Sequence, residues 1–222
     1  MILALDIGNT AVKGGLFDGA ALSRTFRFAT DPAASVPAYR HALRHHLAGA
    51  EARRVGIASV VPAVTERLAE AVRAETLQPA LVVRHTLVLP FAMGYETPET
   101  LGTDRLAAAA GALARYRAAQ TGRPLVVVDA GTAVTVEVVS ADDEFLGGAI
   151  GAGPDLVRRA LAGGTAQLPE VMPVLPRRAV GRSTREAIQS GLLLPFLDGT
   201  RGLLARITDE LRAKPFAITT GG

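Results

Sequence analysis

Two aspartates stand at the head of similar stretches of this 222-residue sequence. Asp6 lies in Ile2-Leu3-Ala4-Leu5-Asp6-Ile7-Gly8-Asn9-Thr10, and Asp129 in Val126-Val127-Val128-Asp129-Ala130-Gly131-Thr132-Ala133. Each follows a short apolar run and precedes a glycine and a small polar residue. An Asp-x-Gly turn of this kind can present backbone N–H groups to phosphate oxygens while its carboxylate holds a hydrated cation. Two such turns facing each other would grip the phosphate tail of a nucleotide from both sides. A third acid, Asp104, sits in Gly102-Thr103-Asp104-Arg105 at the start of an Ala-rich run, where a helix N-terminus favours a carboxylate. The purely structural alternatives are plain. Asp6 and Asp129 can close their own turns as Asx residues. Asp104 can be a helix-start charge, Tyr95 a plug for its loop, Lys13 a solvated strand residue, and Thr184 part of a helix cap.

The elements that must carry these residues follow from periodicity. The apolar runs are bounded and too short for helices, so each reads as a buried strand. Residues 2–28 predict a meander, Ile2–Asp6, Val12–Phe17 and Ala21–Phe28, with Asp18-Gly19 as a hairpin turn. A helix is expected over 33–48, a strand over Val55–Val61, and a helix from Pro62 to about Leu77. Leu81–Leu89 reads as a further strand region interrupted by Arg84-His85, and Phe91–Leu101 as loop. A strong helix pattern runs from Thr103 to about Gln120. Strands are expected at Leu125–Asp129, Thr132–Ser140 and Glu144–Ile150, and a helix over Asp155–Ala162 after the glycine-rich passage 147–153. Ser183 and Glu186 form a capping-box pattern. It opens a long helical region to about Ala213, with an interruption expected around Pro195 and Asp198-Gly199. The last strand is Phe216–Thr219. Both halves therefore begin with a meander tipped by an acid and continue into helices and strands, an approximate internal repeat.

Composition narrows the function classes. Cysteine is absent, which removes disulfides, thiolate metal sites and cysteine nucleophiles. The net charge of +3 comes with scattered arginines and only two lysines, Lys13 and Lys214, so no nucleic-acid surface is expected. No apolar run reaches membrane-spanning length, and no charged region precedes an apolar one at the start, so a cytoplasmic protein without membrane association is expected. His41 and His45 have helical metal-ligand spacing but no acidic third ligand nearby, and read as surface histidines.

The ordered set of motifs resembles the type III pantothenate kinases. It comprises Asp6-Ile7-Gly8-Asn9-Thr10, Ser59-Val60-Val61-Pro62, Tyr95 ahead of Gly102-Thr103-Asp104-Arg105, Asp129-Ala130-Gly131-Thr132, Gly147-Gly148-Ala149-Ile150, and Thr184 with Glu186-Ala187-Ile188 before Gly191. The resemblance covers nearly the whole chain. One departure is Gly151-Ala152-Gly153-Pro154, where the family continues into Pro-Gly.

The resemblance implies an α/β fold of the actin/hexokinase/Hsp70 type. That fold has two tandem ribonuclease-H-like domains, 1–112 and 113–222, with the nucleotide in the cleft between them. It implies ATP-dependent phosphorylation of pantothenate, the first step of coenzyme A synthesis. Asp6, Ile7, Gly8, Asn9, Thr10, Ala11, Val12 and Lys13 would form the first phosphate loop, with Asp6 holding Mg²⁺ through water. Gly131 and Thr132 would form the second, and Asp129 would ligate K⁺ or NH₄⁺. Asp104 would be the general base. Tyr95, Gly102, Thr103, Arg105 and Thr184 would join it in contacting pantothenate. Thr220-Gly221-Gly222 would begin a turn packing the adenosine, and the protein would be a homodimer. The other reading kept open is an inactive accessory relative with the same fold. A sugar or acetate kinase of the same superfamily fits the Gly-Thr-Asp-Arg segment less well.

Overall fold

The computed structural model describes residues 1–221, so Gly222 of the expected adenosine turn lies outside the described residues. Backbone contacts divide the chain into two units, Met1–Leu89 with Thr97–Ala107, and Pro90–Glu96 with Ala108–Gly222. Each is built on a five-stranded mixed sheet.

In the first unit β1 (Ile2–Ile7), β2 (Ala11–Asp18) and β3 (Ala21–Ala29) form the expected antiparallel meander, turning at Gly19 with φ +58°. β4 (Arg54–Ser59) and β5 (Ala80–Val82) add in parallel to give the order β3-β2-β1-β4-β5. Alternation along β1 sends Leu3, Leu5 and Ile7 to one face, all buried. There they pack with Tyr39, Leu43 and Leu47 of α1 (Val36–Leu47) and with Val64, Leu68 and Val72 of α2 (Pro62–Thr76). Asp6 belongs to the other face, directly opposite Lys13 in the ladder.

Gly14 is required by packing: a Cβ there would lie 2.1 Å from the ring of Phe26, its partner on β3. Phe26 and Phe28 in turn both stack on His46, whose pKa is lowered by burial and by the neighbouring His45. His41 and His45 are exposed, as expected of surface histidines.

The second unit repeats the plan. β7 (Leu125–Ala130), β8 (Ala133–Val139) and β9 (Glu144–Ala152) form an antiparallel meander, and β10 (Phe216–Gly221) runs parallel to β7. The two-residue strand β6 (Ala92–Met93), in a stretch expected to be loop throughout, adds to the free edge of β9. The segment with the unusual Gly151-Ala152 remains in the ladder, Ala152 pairing with Ala133. α3 (Thr103–Gln120) spans the boundary between the units, and Tyr116 on it meets Phe216 of β10 with ring centroids 5.9 Å apart. α4 (Pro154–Gly164) follows β9, with Pro154 at its first turn.

Two expectations need correction. The strand region Leu81–Leu89 ends at Val82, because β5 finds partners on β4 only from Val55 to Ile57. The chain then turns, with the Leu87 N–H donating to the Arg84 carbonyl. The helical region after Ser183 is not interrupted: α5 runs unbroken from Thr184 to Leu211 with Pro195 inside it. A proline in a helix interior removes one hydrogen bond and costs about 3 kcal/mol. That cost is offset by burial of Phe196, Leu203, Leu204, Ile207 and Leu211 against the valines of β7 and β8. Ser183 caps the helix, the Glu186 N–H donating to Ser183 Oγ, while the Glu186 carboxylate reaches one residue further back than a capping box requires and accepts the Arg182 N–H.

Helices α1 and α2 are also joined by a charged cluster. Arg44 and Arg40 both bond Glu75 at 2.9–3.0 Å. The Arg44 hydrogen bonds chiefly, with the one from Arg40, hold the Glu75 carboxyl down at about 2. A depressed carboxylate contributes stability above its unfolded pKa near 4.5 and loses it as pH falls towards the folded value. Glu75→Gln should therefore lower stability at pH 7 by about 1 kcal/mol, since both arginines are solvent-exposed. The gap between variant and wild type should close between pH 4.5 and 2. Urea melts across that range check it; a gap that persists at pH 2 would exclude this carboxylate as its source.

Candidate active site

The first phosphate-loop candidate is a turn closed on itself. The Gly8 N–H donates to the Ala11 carbonyl at 3.1 Å, and the Thr30 hydroxyl donates to the Gly8 carbonyl at 2.7 Å. Thr30 N–H adds a bond to the Thr10 carbonyl at 3.2 Å. These bonds hold the chain from Gly8 to Ala11 against the start of the segment after β3. Asp6 is half-buried at the C-terminal end of β1, Asn9 and Thr10 are exposed at the tip, and Lys13 is exposed on β2. Ile7, Ala11 and Val12 are buried, so only their backbone is available to a ligand.

Asp104 reaches the same end of this sheet. Ser59, the last residue of β4, is in register with Ile7 of β1. Its N–H donates to Thr103 Oγ1 at 2.7 Å, and its carbonyl accepts from the same hydroxyl at 2.8 Å. The first turn of α3 is thereby fastened to the end of β4, one residue away from Asp104. The Asp104 carboxylate is half-buried and accepts the Arg105 N–H at 2.8 Å. It also lies over Gly102, where a Cβ would sit 2.5 Å from Asp104 Oδ1 and would push the carboxylate aside. Arg105 is 5% exposed, which leaves little of its guanidinium for a ligand.

In the second unit the turn after β7 resembles the first but is one residue shorter. The Gly131 N–H donates to the Ala133 carbonyl at 3.0 Å, and Asp129 is half-buried at the strand end. Thr132 is exposed at the tip, its carbonyl accepting the Gly153 N–H at 3.0 Å. Two further glycines brace this turn. A Cβ on Gly153 would lie 2.2 Å from the Gly131 carbonyl oxygen, and one on Gly221, at φ +109°, 2.4 Å from that of Ala130. Tyr95 is half-buried, its ring edge-on to Phe145 at 6.1 Å and against Gly147, whose Cβ would come within 3.2 Å of it. Thr184 is exposed at the first position of α5.

The first unit thus brings together Asp6, the 7–13 loop and Gly102–Arg105. The second gathers Asp129, Gly131 and Thr132, with Tyr95 on the Gly147 side of the β9 edge. Sequence reasoning gave no role to Ser59, Thr65 or Thr30, although Ser59 stands in a segment it quoted. Nothing in one-dimensional spacing shows that a hydroxyl bonds a backbone group 44 residues away. Glu137 on β8 was also passed over; it is fully buried, on the same face of the sheet as Asp129.

All the candidate cation donors are oxygens, which suits Mg²⁺ and alkali cations. Among the described residues no group of three or more His, Asp or Glu side chains gathers to hold a metal. A divalent ion here would share one carboxylate with substrate phosphates and water, the usual arrangement for Mg²⁺.

Comparison with known proteins identifies the family. The sequence model of the family described as type III pantothenate kinase matches residues 2–206. A type III pantothenate kinase of Frankia alni is 38% identical over 228 aligned positions, covering all of this chain and 87% of the relative. One from Thermomicrobium roseum is 37% identical, covering all of this chain and 86% of the relative. The crystal structure of the ROK hexokinase from Thermus thermophilus superimposes with a TM-score of 0.52 at 16% identity, covering the whole chain and 81% of the hexokinase. That likeness shows the fold, two tandem domains of the hexokinase and actin-like ATPase type. The chain belongs to the type III pantothenate kinase family.

Proposed function

We infer that this chain transfers the γ-phosphoryl group of ATP to the primary hydroxyl of pantothenate, in the cytoplasm, with Asp104 as general base. The observation that carries the residue assignment is the Ser59–Thr103 hydrogen-bond pair. It supports a base at the end of the sheet where the first phosphate loop and Asp6 lie. Asp104 would accept the hydroxyl proton as that oxygen attacks phosphorus. The N–H groups of the 7–13 loop and of Gly131 and Thr132 would hold the phosphates. Phosphoryl transfer asks the protein mainly for positioning and for charge stabilisation. Asp6 would hold Mg²⁺ through water and Asp129 would hold K⁺ or NH₄⁺, and bound cations neutralise charge on the phosphates. Tyr95, Gly102 and Thr184 are assigned to the pantothenate pocket, Thr103 through its backbone and the buried Arg105 through whatever edge of its guanidinium reaches the surface, with the two halves of the chain, 1–112 and 113–222, as the functional domains. No finding favours an inactive accessory role, and no helix of the described residues is long and apolar enough to cross a membrane.

A homodimer is part of this reading. Met172, Val174, Leu175 and Val180 are exposed in the segment before α5, and Ile150 is exposed on β9. Exposed apolar side chains concentrated in one segment are usual at subunit interfaces. Light scattering should give twice the chain mass at micromolar concentration, and a monomer with full activity would count against the dimer.

The function is tested by ADP release, which should require pantothenate. Asp104→Asn should reduce kcat by about 10²–10⁴-fold while pantothenate binding by calorimetry stays close to wild type. Near-normal turnover of that variant would remove Asp104 from the role. Wild-type turnover should be faster in potassium than in sodium. Asp129→Asn should flatten that difference; an unchanged potassium response would place the cation elsewhere.

A further inference from the structure

We propose that Thr103 is a positioning residue for Asp104, its side chain serving the protein frame and not the substrate. The proposal rests on the reading of Asp104 as general base. A threonine hydroxyl has one proton to donate. Here that proton goes to the Ser59 carbonyl at 2.8 Å, and the oxygen accepts the Ser59 N–H at 2.7 Å. One hydrogen bond lets its partners swivel, whereas a reciprocal pair to the N–H and C=O of one residue fixes both distance and direction.

Ser59 is itself held. Its backbone is in register with Ile7 on β1, and the next N–H, that of Val60, donates to the Ile7 carbonyl at 3.1 Å. Its Oγ accepts the Val61 N–H at 3.1 Å and the Thr65 hydroxyl at 2.6 Å, which ties the start of α2 into the same knot. The path from the Asp6 strand to Asp104 is therefore Ile7, Ser59, Thr103, with every step a short hydrogen bond or a ladder pairing. On its far side the carboxylate is steadied by the Arg105 N–H and by the bare Cα of Gly102. Loss of the Thr103 hydroxyl removes both of the bonds between the first turn of α3 and the end of β4. A misplacement near 1 Å costs on the order of 100-fold in a reaction limited by orientation.

Three roles for this hydroxyl separate kinetically. If it contacted pantothenate, Thr103→Val would raise KM at unchanged kcat. If it only packed the fold, the variant would melt earlier with both constants unchanged. As a positioning residue, Thr103→Val should lower kcat by about 10–100-fold with KM for pantothenate little changed. Thr103→Ser, which keeps the hydroxyl, should restore the lost turnover. Thr103→Ala gives the same readout if valine against the Ser59 carbonyl is not tolerated.

Amide exchange at Ser59 tests the knot without any turnover. It should be slow in wild type, faster in Thr103→Val or Thr103→Ala, and slow again in Thr103→Ser. Unchanged Ser59 exchange in the hydroxyl-free variants would overturn the proposal, as would a KM effect without a kcat effect or a loss of melting temperature alone. A wild-type protein that does not turn over pantothenate, with Ser59 exchange behaving as described, would overturn the kinase reading and leave the knot standing.

Discussion

Both halves of this chain depend on what happens to the backbone immediately after a central strand that ends in aspartate. The strand cannot simply stop, because its next N–H and C=O groups would be left without partners beside a packed core. In each unit the answer is a glycine N–H that bonds forward, Gly8 to Ala11 and Gly131 to Ala133, at nearly equal length. That bond closes a turn small enough for the following strand to pair at once with the one before it. The aspartate is left half-buried at the strand end, where its charge can remain hydrated. A wider turn would carry the exposed tips, Asn9 and Thr10 or Thr132, away from the carboxylates. Much of the remaining detail is support for these turns. Thr30 bonds the Gly8 carbonyl in one, and Gly153 and Gly221 press against the carbonyls of Gly131 and Ala130 in the other.

The period of two along a strand decides which chemistry is possible at each face. Leu3, Leu5 and Ile7 commit one face of the first sheet to α1 and α2, so Asp6 and Lys13 must share the opposite face. In the second sheet Val126 and Val128 face α5, and the same alternation places Asp129 on the other side of β7. Shifting either strand by one residue would bury the aspartate among leucines or valines, where an unpaired carboxylate costs several kcal/mol. The buried alternation therefore fixes the position of the acid as firmly as the turn does.

This explains which parts of the molecule the sequence could disclose. The meanders, α3, the Ser183 helix cap and the repeat of the acidic turn are set by local pattern, and they stand where the sequence placed them. Pro195 misled because a local breaker was outweighed by five apolar side chains packing from one helix onto a sheet. Leu81–Leu89 misled because an apolar run forms a strand only as far as it has a neighbour to pair with, and β4 supplies three positions. The candidate site divides in the same way. Its acids and glycines were legible as motifs, whereas the knot of Ser59, Thr65 and Thr103 joins residues from three elements and has no local signature.

That knot also bears on our proposal that Asp104, among the acids of this unit, is the base. Glu66 and Glu99 border the same cavity as Ser59, Thr65 and Thr103, so acidity in the neighbourhood is not scarce. Both are exposed, on α2 and on the short 3-10 helix Pro98–Thr100, and both have longer side chains that lose more rotamer freedom when fixed. Asp104 has the shorter side chain, a backbone N–H at 2.8 Å and a glycine beneath it. Its helix turn is bound at both donor and acceptor of one strand residue. General-base efficiency depends on holding the acceptor oxygen at hydrogen-bond distance from the attacking hydroxyl, so the carboxylate whose geometry is already fixed is favoured over those that are merely near.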